Sequence, residues 1–581
     1  MPAARWVIPE VDSQVVRRLS ASLGVQLLTA RVLASRGITD VDSAHRFLTP
    51  SIEHLHDPYL LAGMPQAVER LRRAITQGEK ILIYGDYDVD GTTSVVILKK
   101  AIELAGGEAN FHVPHRLRDG YGMRADVIDR AAGSGVRLIV SVDTGIRASE
   151  VVRGAREQGI DVIVTDHHLP EAELPPALAV LNPNRRDCAY PDKNLCGAGV
   201  AFKLVQALLR TLAWPAQKTE RMLKSFLKLV AVATVADVVP LTGENRVIVK
   251  YGLAGLNRVH NPGLRALLEV SGMLGGRPPS AHQVAFQIAP RINAAGRMAH
   301  AEDVIHLFLT EDPERARKLA EELHALNQER QQTEAEIVQR VLEECERSPV
   351  TDDQSALVFI GENWHRGVVG IVASRLVERF CRPVFVLSDE EGEAQGSGRS
   401  IPSFHLLDAL EAMPDLFTRF GGHRQAAGVS LKSERAIEFR ERLNRYAGAR
   451  LSAADFCPQM AIDAIAGLNE LTDSGVEELL GLAPFGFGNP APMLGVLDAE
   501  VRTGAVVVKD RHLRVQLRQD GRSLFPKAWN FAARAAELSA GSHVDFAIAL
   551  EEDTHSNARG GPCWQAILKD VRPVSVTAKA G

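Results

Sequence analysis

The sequence predicts a multidomain α/β protein: a parallel-sheet domain and a smaller α/β domain joined by a long helix, then a small C-terminal β-barrel. Three observations predict it. From residue 80, short apolar runs alternate with stretches of helical spacing, the pattern of βαβ units and a largely parallel sheet. After Asp312-Pro313-Glu314 the chain is free of Gly and Pro until Pro349. From residue 493 onward, short segments of strand character alternate with polar turns, which suits a small barrel.

Residues 1–60 read as short helices and turns without a chemical motif. Residues 80–84 (KILIY) form a short buried strand. Residues 92–105 follow as a helix, with Val95, Val96, Leu98, Ile102 and Leu104 at helical spacing and Gly106-Gly107 as its stop. Further strands are expected at 109–114, 136–142, 161–165 and 178–181, with a helix at 148–158. From about 195 to 310 the pattern is mostly helical. Asp312 suits an N-cap, Pro313 the first helical position and Glu314 the positive helix end. A helix of roughly 35 residues there would be about 50 Å long, and it reads as a spacer. A second α/β unit starts at 356–360 and closes at about 450 on a basic segment. The Gly- and Pro-rich stretch 482–493 leads into strands at 493–509, 512–519, 522–530, 543–551 and 564–571. The expected divisions are therefore 1–60, 61–310, 311–349, 350–452 and 455–575.

Composition excludes some classes. The chain has 581 residues, 45% hydrophobic and 24% charged, as in soluble globular proteins. No apolar run approaches the roughly 20 residues of a membrane span. Met1-Pro2-Ala3-Ala4-Arg5-Trp6 lacks a signal-peptide layout, so a cytoplasmic location is expected. A net charge of −5 advertises no global basic field, yet permits a local basic groove. The six cysteines, at 188, 196, 345, 381, 457 and 563, form no C-x-x-C pair. That argues against a zinc ribbon or redox motif, and buried free thiols are expected.

Residues 81–91 (ILIYGDYDVDG) carry the first chemical signal. Asp86, Asp88 and Asp90 alternate, so in extended chain they crowd on one side. Carboxylates that close hold protons or bind cations, and hard divalent metals take oxygen ligands. Asp143 follows the third strand and Asp166-His167-His168 the fourth. In open parallel sheets, ligands bind at the carboxyl ends of strands. Asp237 sits among Ala233, Val235, Ala236, Val238 and Val239; a carboxylate sequestered there needs a metal, a cation or hydrogen bonds. A helix-terminus role and a metal role are both open for it. The set suits two divalent cations about 3.5–4 Å apart, serving phosphoryl chemistry by activating water and neutralising developing charge. The imidazole tilts one site toward Mn²⁺ over Mg²⁺, and without a thiolate no structural zinc site is indicated.

These residues carry a resemblance. Asp88-Val89-Asp90-Gly91, Val142-Asp143, Asp166-His167-His168 and Asp237 are similar in order and spacing to the DHH phosphoesterase superfamily. Within it, residues 84–91 (YGDYDVDG), 199–203 (GVAFK), 290–297 (PRINAAGR) and 364–370 (WHRGVVG) resemble the RecJ family of bacterial single-strand-specific 5′→3′ DNA exonucleases. The likeness covers roughly residues 60–575. It implies a DHH catalytic domain, a DHH-associated domain and an OB-like barrel. It implies two metal ions, Mn²⁺ or Mg²⁺, on Asp88, Asp90, Asp143, His167 and Asp237. Asp86 would ligate directly or through water. His168 would act near the scissile phosphate, while Asp166 would orient His167.

Residues 421–428 (GGHRQAAG) are similar to the glycine-rich signature of the DHH-associated domain, placing Gly422 and His423 at substrate. Arg297, Ser397 and Arg399 are expected at a terminal 5′ phosphate, with Arg116 on the nearby backbone. In the barrel, Arg511, Arg514, Lys527, Trp529 and Trp564 are candidates for single-strand binding. The expected activity is release of 5′ mononucleotides from single-stranded DNA, in repair and recombination. The alternatives are a DHH phosphodiesterase of short oligonucleotides or cyclic dinucleotides, or a non-catalytic single-strand DNA-binding relative. A monomer is expected, with a single-strand DNA-binding protein and a helicase as partners and no membrane association.

Overall fold

The computed structural model describes residues 4–553 and 563–574. Parts of the expected N-terminal and barrel segments, residues 1–3, 554–562 and 575, lie outside the described residues. The chain forms two compact units. One holds Leu55–Val239 and Ile248–Cys457; the other holds the described residues up to His54, Pro240–Val247 and those from Pro458 on.

The first unit begins with a five-stranded, all-parallel sheet. Its order is Ala109–His112, Lys80–Tyr84, Val136–Val142, Asp161–Thr165, Ala179–Leu181. These strands are near-continuous apolar runs because helices cover both faces. Ile83, Leu138, Val140 and Ile163 are fully buried. The chain leaves Lys80–Tyr84 toward one neighbour and returns on the other side as Val136–Val142. The topological switch point therefore lies between the carboxyl ends of those two strands, where such folds bind ligands.

The helix Pro313–Arg347 has 35 residues, and Asp312 caps it by accepting from the Glu314 N–H at 2.9 Å. It is more than a spacer. Ala316, Ala320 and Leu323 are buried on its first half, which packs along helices Pro262–Val270 and Ala289–Met298. Ile337 and Val341 on its second half enter a core with Val368 and Val372 of helix Arg366–Phe380. The second α/β domain carries a mixed sheet ordered Arg419–Gly422, Ala426–Lys432, Glu393–Arg399, Val384–Glu390, Leu357–Glu362. Only its last pair is parallel.

The other unit is built on a closed barrel. Met493–Val508 pairs with both His512–Gln519 and His543–Glu552. The ring closes through Trp564–Pro573 and Lys527–Ala528. The single strand expected over 522–530 is two, Arg522–Leu524 and Lys527–Ala528. Pro526, which has no N–H to give a ladder, separates them. The N-terminal segment also departs from the all-helical expectation. Arg5–Val7 is a strand, parallel to Gln459–Ala461. The segment's helices bury Leu19, Leu28 and Leu33 in the core that contains Val476, Leu494 and Phe546. Arg246 donates to the carbonyls of Phe47 and Ala483 at 2.8 and 2.9 Å, securing Pro240–Val247 in this unit.

No described helix is long and apolar enough to cross a membrane. The expectation of buried thiols holds for Cys188 and Cys196 alone; Cys345, Cys381 and Cys457 are half-buried and Cys563 is exposed.

Candidate active site

Asp86, Asp88 and Asp90 follow Lys80–Tyr84, and Asp143 follows Val136–Val142, so the carboxylates flank the switch point. Asp88 caps helix Val89–Leu104. One of its oxygens accepts from the Asp90 and Gly91 N–H groups at 2.9 and 3.0 Å. Asp90 is buried, and its two oxygens accept from the Gly197 and Ala198 N–H groups at 2.5 and 2.7 Å. Those donors open helix Gly197–Arg210, whose positive end favours the anion. A Cβ at Gly197 would fall 2.6 Å from the Asp143 Cβ, so glycine is what lets this helix end approach. Asp143 has φ 59°, an uncommon conformation for a non-glycine residue that clusters at functional sites. Asp237 caps the C-terminus of helix Ala216–Ala236.

Among the described residues, three groups of donor atoms result. Asp86, Asp88 and Asp143 offer atoms within 4.8 Å of one another, Asp90, His167 and Asp237 form a second such group, and Asp143, His167 and His168 form a third that links the first two. His167 Nε2 faces Asp143 at 3.3 Å, Asp237 at 3.7 Å and Asp90 at 3.8 Å. Asp143 therefore stands between the first two groups and can serve both. Buried oxygens of Asp86, Asp143 and Asp237 have no hydrogen-bond partner among the described residues. Orphaned carboxylate oxygens converging with an imidazole nitrogen are a donor set for hard or borderline divalent cations. The residues fit a pair of Mn²⁺ or Mg²⁺ ions.

The protonation of the metal-free protein follows from the same crowding. Burial, then the Asp88 charge, pushes the Asp86 carboxyl well above its ordinary range. Burial, then Asp90, does the same to Asp143. Asp237 is pushed up to about 9 by burial and then by Asp90 and Asp88. Burial lowers His167, keeping its imidazole neutral and able to ligate. Folded carboxyls with raised pKa hold protons that the unfolded chain has released, so their stabilisation is lost as pH rises through those values. The metal-free protein is expected to lose several degrees of Tm from about pH 5 to about pH 9, and saturating Mn²⁺ is expected to flatten that slope. Thermal scans after chelation, with and without Mn²⁺, check this; a metal-free Tm that rises across the interval contradicts it.

Asp166 departs from expectation. Its carboxylate does not brace the His167 ring. It accepts from the backbone N–H groups of Ile146, His167 and His168, and meets His168 Nδ1 at 2.7 Å. A side chain turned back to cap its own loop reaches the ring two residues on. Burial opposes a charged His168, but the bond and charge of Asp166 outweigh it and raise the His168 pKa.

Arg116, Arg297, Ser397 and Arg399 come together beside this centre. Arg116 lies over the Tyr87 ring at 4.7 Å. Arg297 donates to the Gly367 carbonyl at 3.1 Å, and Arg399 to the Gly398 carbonyl at 2.8 Å. Among the described residues, no carboxylate pairs with any of the three. Arg297 is pushed down to about 9 by burial and then by the like charges of Arg116, Arg330 and Arg399. Arg399 is lowered by burial and then by Arg116. Half-buried cations that repel one another and have no carboxylate partner among the described residues suit an anion. In the hairpin tip with Gly422, burial, then the charges of Arg147 and His168, lowers His423. A Cβ at Gly422 would fall 2.4 Å from the Ala426 carbonyl oxygen.

Sequence reasoning missed several supports. Tyr121 Oη lies 3.3 Å from the Asp143 carbonyl and 3.2 Å from His168 Nδ1. Asn182 and Asn184 donate to the carbonyls of His168 and His167 at 2.9 and 2.6 Å. Asn293 accepts from the Val89 N–H at 3.2 Å. The two residues 182 and 184 just follow the fifth strand, so the carboxyl-end rule could have found them.

In the barrel unit a groove of about 650 Å³ is lined by Lys509, His512, Arg514, Phe525, Lys527 and Trp529. Phe525 and Trp529 are 69% and 51% exposed, and the His512 ring meets Trp529 edge-on at 4.8 Å. Arg511 is outside that lining. Trp564 is half-buried against the core and donates to Asp473 at 2.8 Å.

Residues 80–234 match the DHH family, N-terminal domain; 353–449 match the DHHA1 domain; and 462–566 match the RecJ OB domain. The single-stranded-DNA-specific exonuclease RecJ of Bacillus subtilis is 38% identical over 97% of this chain and 70% of that protein. The RecJ of Escherichia coli is 37% identical over 85% of this chain and 87% of its own. The crystal structure of RecJ with Mn²⁺ from Thermus thermophilus superposes with a TM-score of 0.83 at 32% identity, covering 99% of this chain and 80% of that one. The Mg²⁺ complex from the same organism gives 0.78 at 30% identity, over 99% and 79%. With all three domains matched in order, the chain belongs to the RecJ family of DHH-superfamily exonucleases.

Proposed function

We propose that the chain is a single-stranded-DNA-specific exonuclease that releases 5′ mononucleotides by two-cation phosphodiester hydrolysis, in DNA repair and recombination. The observation that carries this reading is the juxtaposition of two unlike sites. Buried carboxylates with orphaned oxygens lie beside three arginines that have no carboxylate partner among the described residues. One suits cations and the other suits a terminal phosphate.

Asp86, Asp88 and Asp143 would hold one cation, and Asp90, His167 and Asp237 the other, with Asp143 shared. Cations held there would supply activation of a water and neutralisation of charge on the phosphorus oxygens. The protein's residues place the substrate. Arg297, Ser397 and Arg399 grip the 5′ phosphate and Arg116 the adjoining backbone, so the first internucleotide bond lies over the carboxylates. His168, held by Asp166 and Tyr121, faces the scissile phosphate. Gly422 and His423 approach from the hairpin. On this reading 61–310 is the catalytic domain, 350–452 binds substrate, and 455–575 binds the trailing strand. The working setting is a cytoplasmic monomer acting with a single-strand DNA-binding protein and a helicase.

Single strands labelled at the 5′ or the 3′ end, digested with Mg²⁺ and then Mn²⁺, test this. Labelled mononucleotides should appear at once from the 5′ label only. Early release from the 3′ label, or equal digestion of a blunt duplex, would overturn it.

The barrel groove adds a prediction. Base stacking on an aromatic contributes about 1–3 kcal/mol. Trp529→Ala is therefore expected to weaken binding of a long single strand about tenfold, read by fluorescence anisotropy. Hydrolysis of a dinucleotide should be unchanged. An equal loss on both substrates would place Trp529 in the fold rather than the interface.

A further inference from the structure

The long helix carries three buried polar residues at its middle that the chemistry above does not use. Asn327, Arg330 and Glu334 are 3%, 8% and 1% exposed. Arg330 donates to Glu334 at 2.6 Å and to Asn327 at 2.7 Å. The other Glu334 oxygen forms an ion pair with Arg375 Nε on helix Arg366–Phe380. A fully buried carboxylate is costly unless cations hold it, and here two do, from two different helices. Arg375 itself is mostly exposed, so burial does not explain why its side chain reaches in.

Helix Arg366–Phe380 also forms the floor of the phosphate site. Near its start, the Gly367 carbonyl accepts from Arg297. One turn on, Gly370 packs against Ser397 and Arg399. Arg297 comes from the catalytic domain, whereas Ser397 and Arg399 come from the second domain. The two halves of the anion site thus meet across this helix, and its register relative to the catalytic domain sets their spacing. Glu334 ties that helix to the long one. Its other partner, Arg330, stands close enough to Arg297 for their like charges to repel.

We propose that Glu334, clamped by Arg330 and Arg375, is a positioning latch that sets the gap between Arg297 and the Ser397–Arg399 pair, and so sets the preference for a 5′-phosphorylated end. This rests on the phosphate reading of that site. A latch of this kind acts on recognition, because the carboxylate centre lies within the catalytic domain alone. Displacements well under an ångström suffice, since a misplacement of about 1 Å can cost about a hundredfold.

The test measures kcat/KM on 5′-phosphorylated and 5′-hydroxyl single strands for the full chain, Glu334→Gln, Arg375→Gln and the double variant. Expected is about a tenfold fall in the phosphate-to-hydroxyl ratio for each single variant, carried by KM, with 5′-hydroxyl turnover unchanged. The double variant should fall no further than the singles, because they break one device. Arg375→Gln alters an exposed side chain and guards against misfolding of the buried substitution. If Arg375→Gln keeps the wild-type ratio, or lowers both substrates alike, the latch is wrong while the phosphate site stands. If the unaltered protein has no preference for a 5′ phosphate, the phosphate reading falls and takes the latch with it.

Discussion

Asp143→Ala is expected to lower hydrolysis of single-stranded DNA by roughly a thousandfold or more while leaving strand binding within about threefold. Among the described residues, Asp143 is the carboxylate that stands between the two donor groups, with an orphaned buried oxygen 3.3 Å from His167 Nε2. On the proposed reading, removing it would take a donor from both cation positions at once. Asp86→Ala takes a ligand from one group only and should cost less, so the ratio of the two defects reports how far Asp143 is shared. Single-turnover rates at saturating Mn²⁺ measure the first effect, and anisotropy with a labelled strand measures the second. Raising Mn²⁺ should restore part of the Asp86→Ala rate and little of the Asp143→Ala rate. Equal rescue of both would mean that Asp143 serves one position only. Binding should survive because the arginine site and the barrel groove contain no part of the carboxylate centre.

The centre was legible because its elements obey local rules. Three short apolar strands are each followed by acidic or imidazole side chains, and parallel-sheet topology sends those ends to one edge. Asp86 could not be resolved from spacing: alternation in extended chain says nothing once the chain turns into a helix. In the structure Asp88 becomes the N-cap of Val89–Leu104, and Asp90 is turned toward Gly197 and Ala198. That turn separates the three carboxylates and leaves Asp86 with Asp88 and Asp143. The Asp166 misassignment has the same origin. Spacing does not tell which of two adjacent imidazoles a carboxylate meets; the loop's backbone path decides it, and here it is His168. The strand Arg5–Val7 had no chance of being read locally, since its partner Gln459–Ala461 lies at the far end of the chain. The same holds for Glu334 and Arg375: on a 35-residue helix rich in charge, a buried glutamate looks like any solvated one.

Arg399→Ala is expected to raise KM for a 5′-phosphorylated single strand about 10- to 100-fold, with little effect on a 5′-hydroxyl strand. Hydrogen bonds to charged groups contribute about 1.5–3 kcal/mol, and this guanidinium has no carboxylate among the described residues to release when the phosphate arrives. Its ground state is therefore unfavourable: burial and the Arg116 charge already hold its pKa below the ordinary value. An incoming dianion relieves that repulsion for Arg297, Arg399 and Arg116 together. On the proposed reading the phosphate would therefore bind more strongly than three independent contacts would bind it, and the variants should be coupled. Arg297→Ala combined with Arg399→Ala should cost less than the sum of the single effects, because the first removal also relieves repulsion in the empty site. Arg399→Lys keeps the charge but loses the planar fork, and is expected to recover only part of the phosphate preference. Steady-state kinetics on matched 5′-phosphate and 5′-hydroxyl strands separate these outcomes. Strict additivity, or full recovery with lysine, would mean that the arginines act as a diffuse field instead of a built phosphate site. In that case the 5′ polarity would have to come from the barrel's hold on the trailing strand.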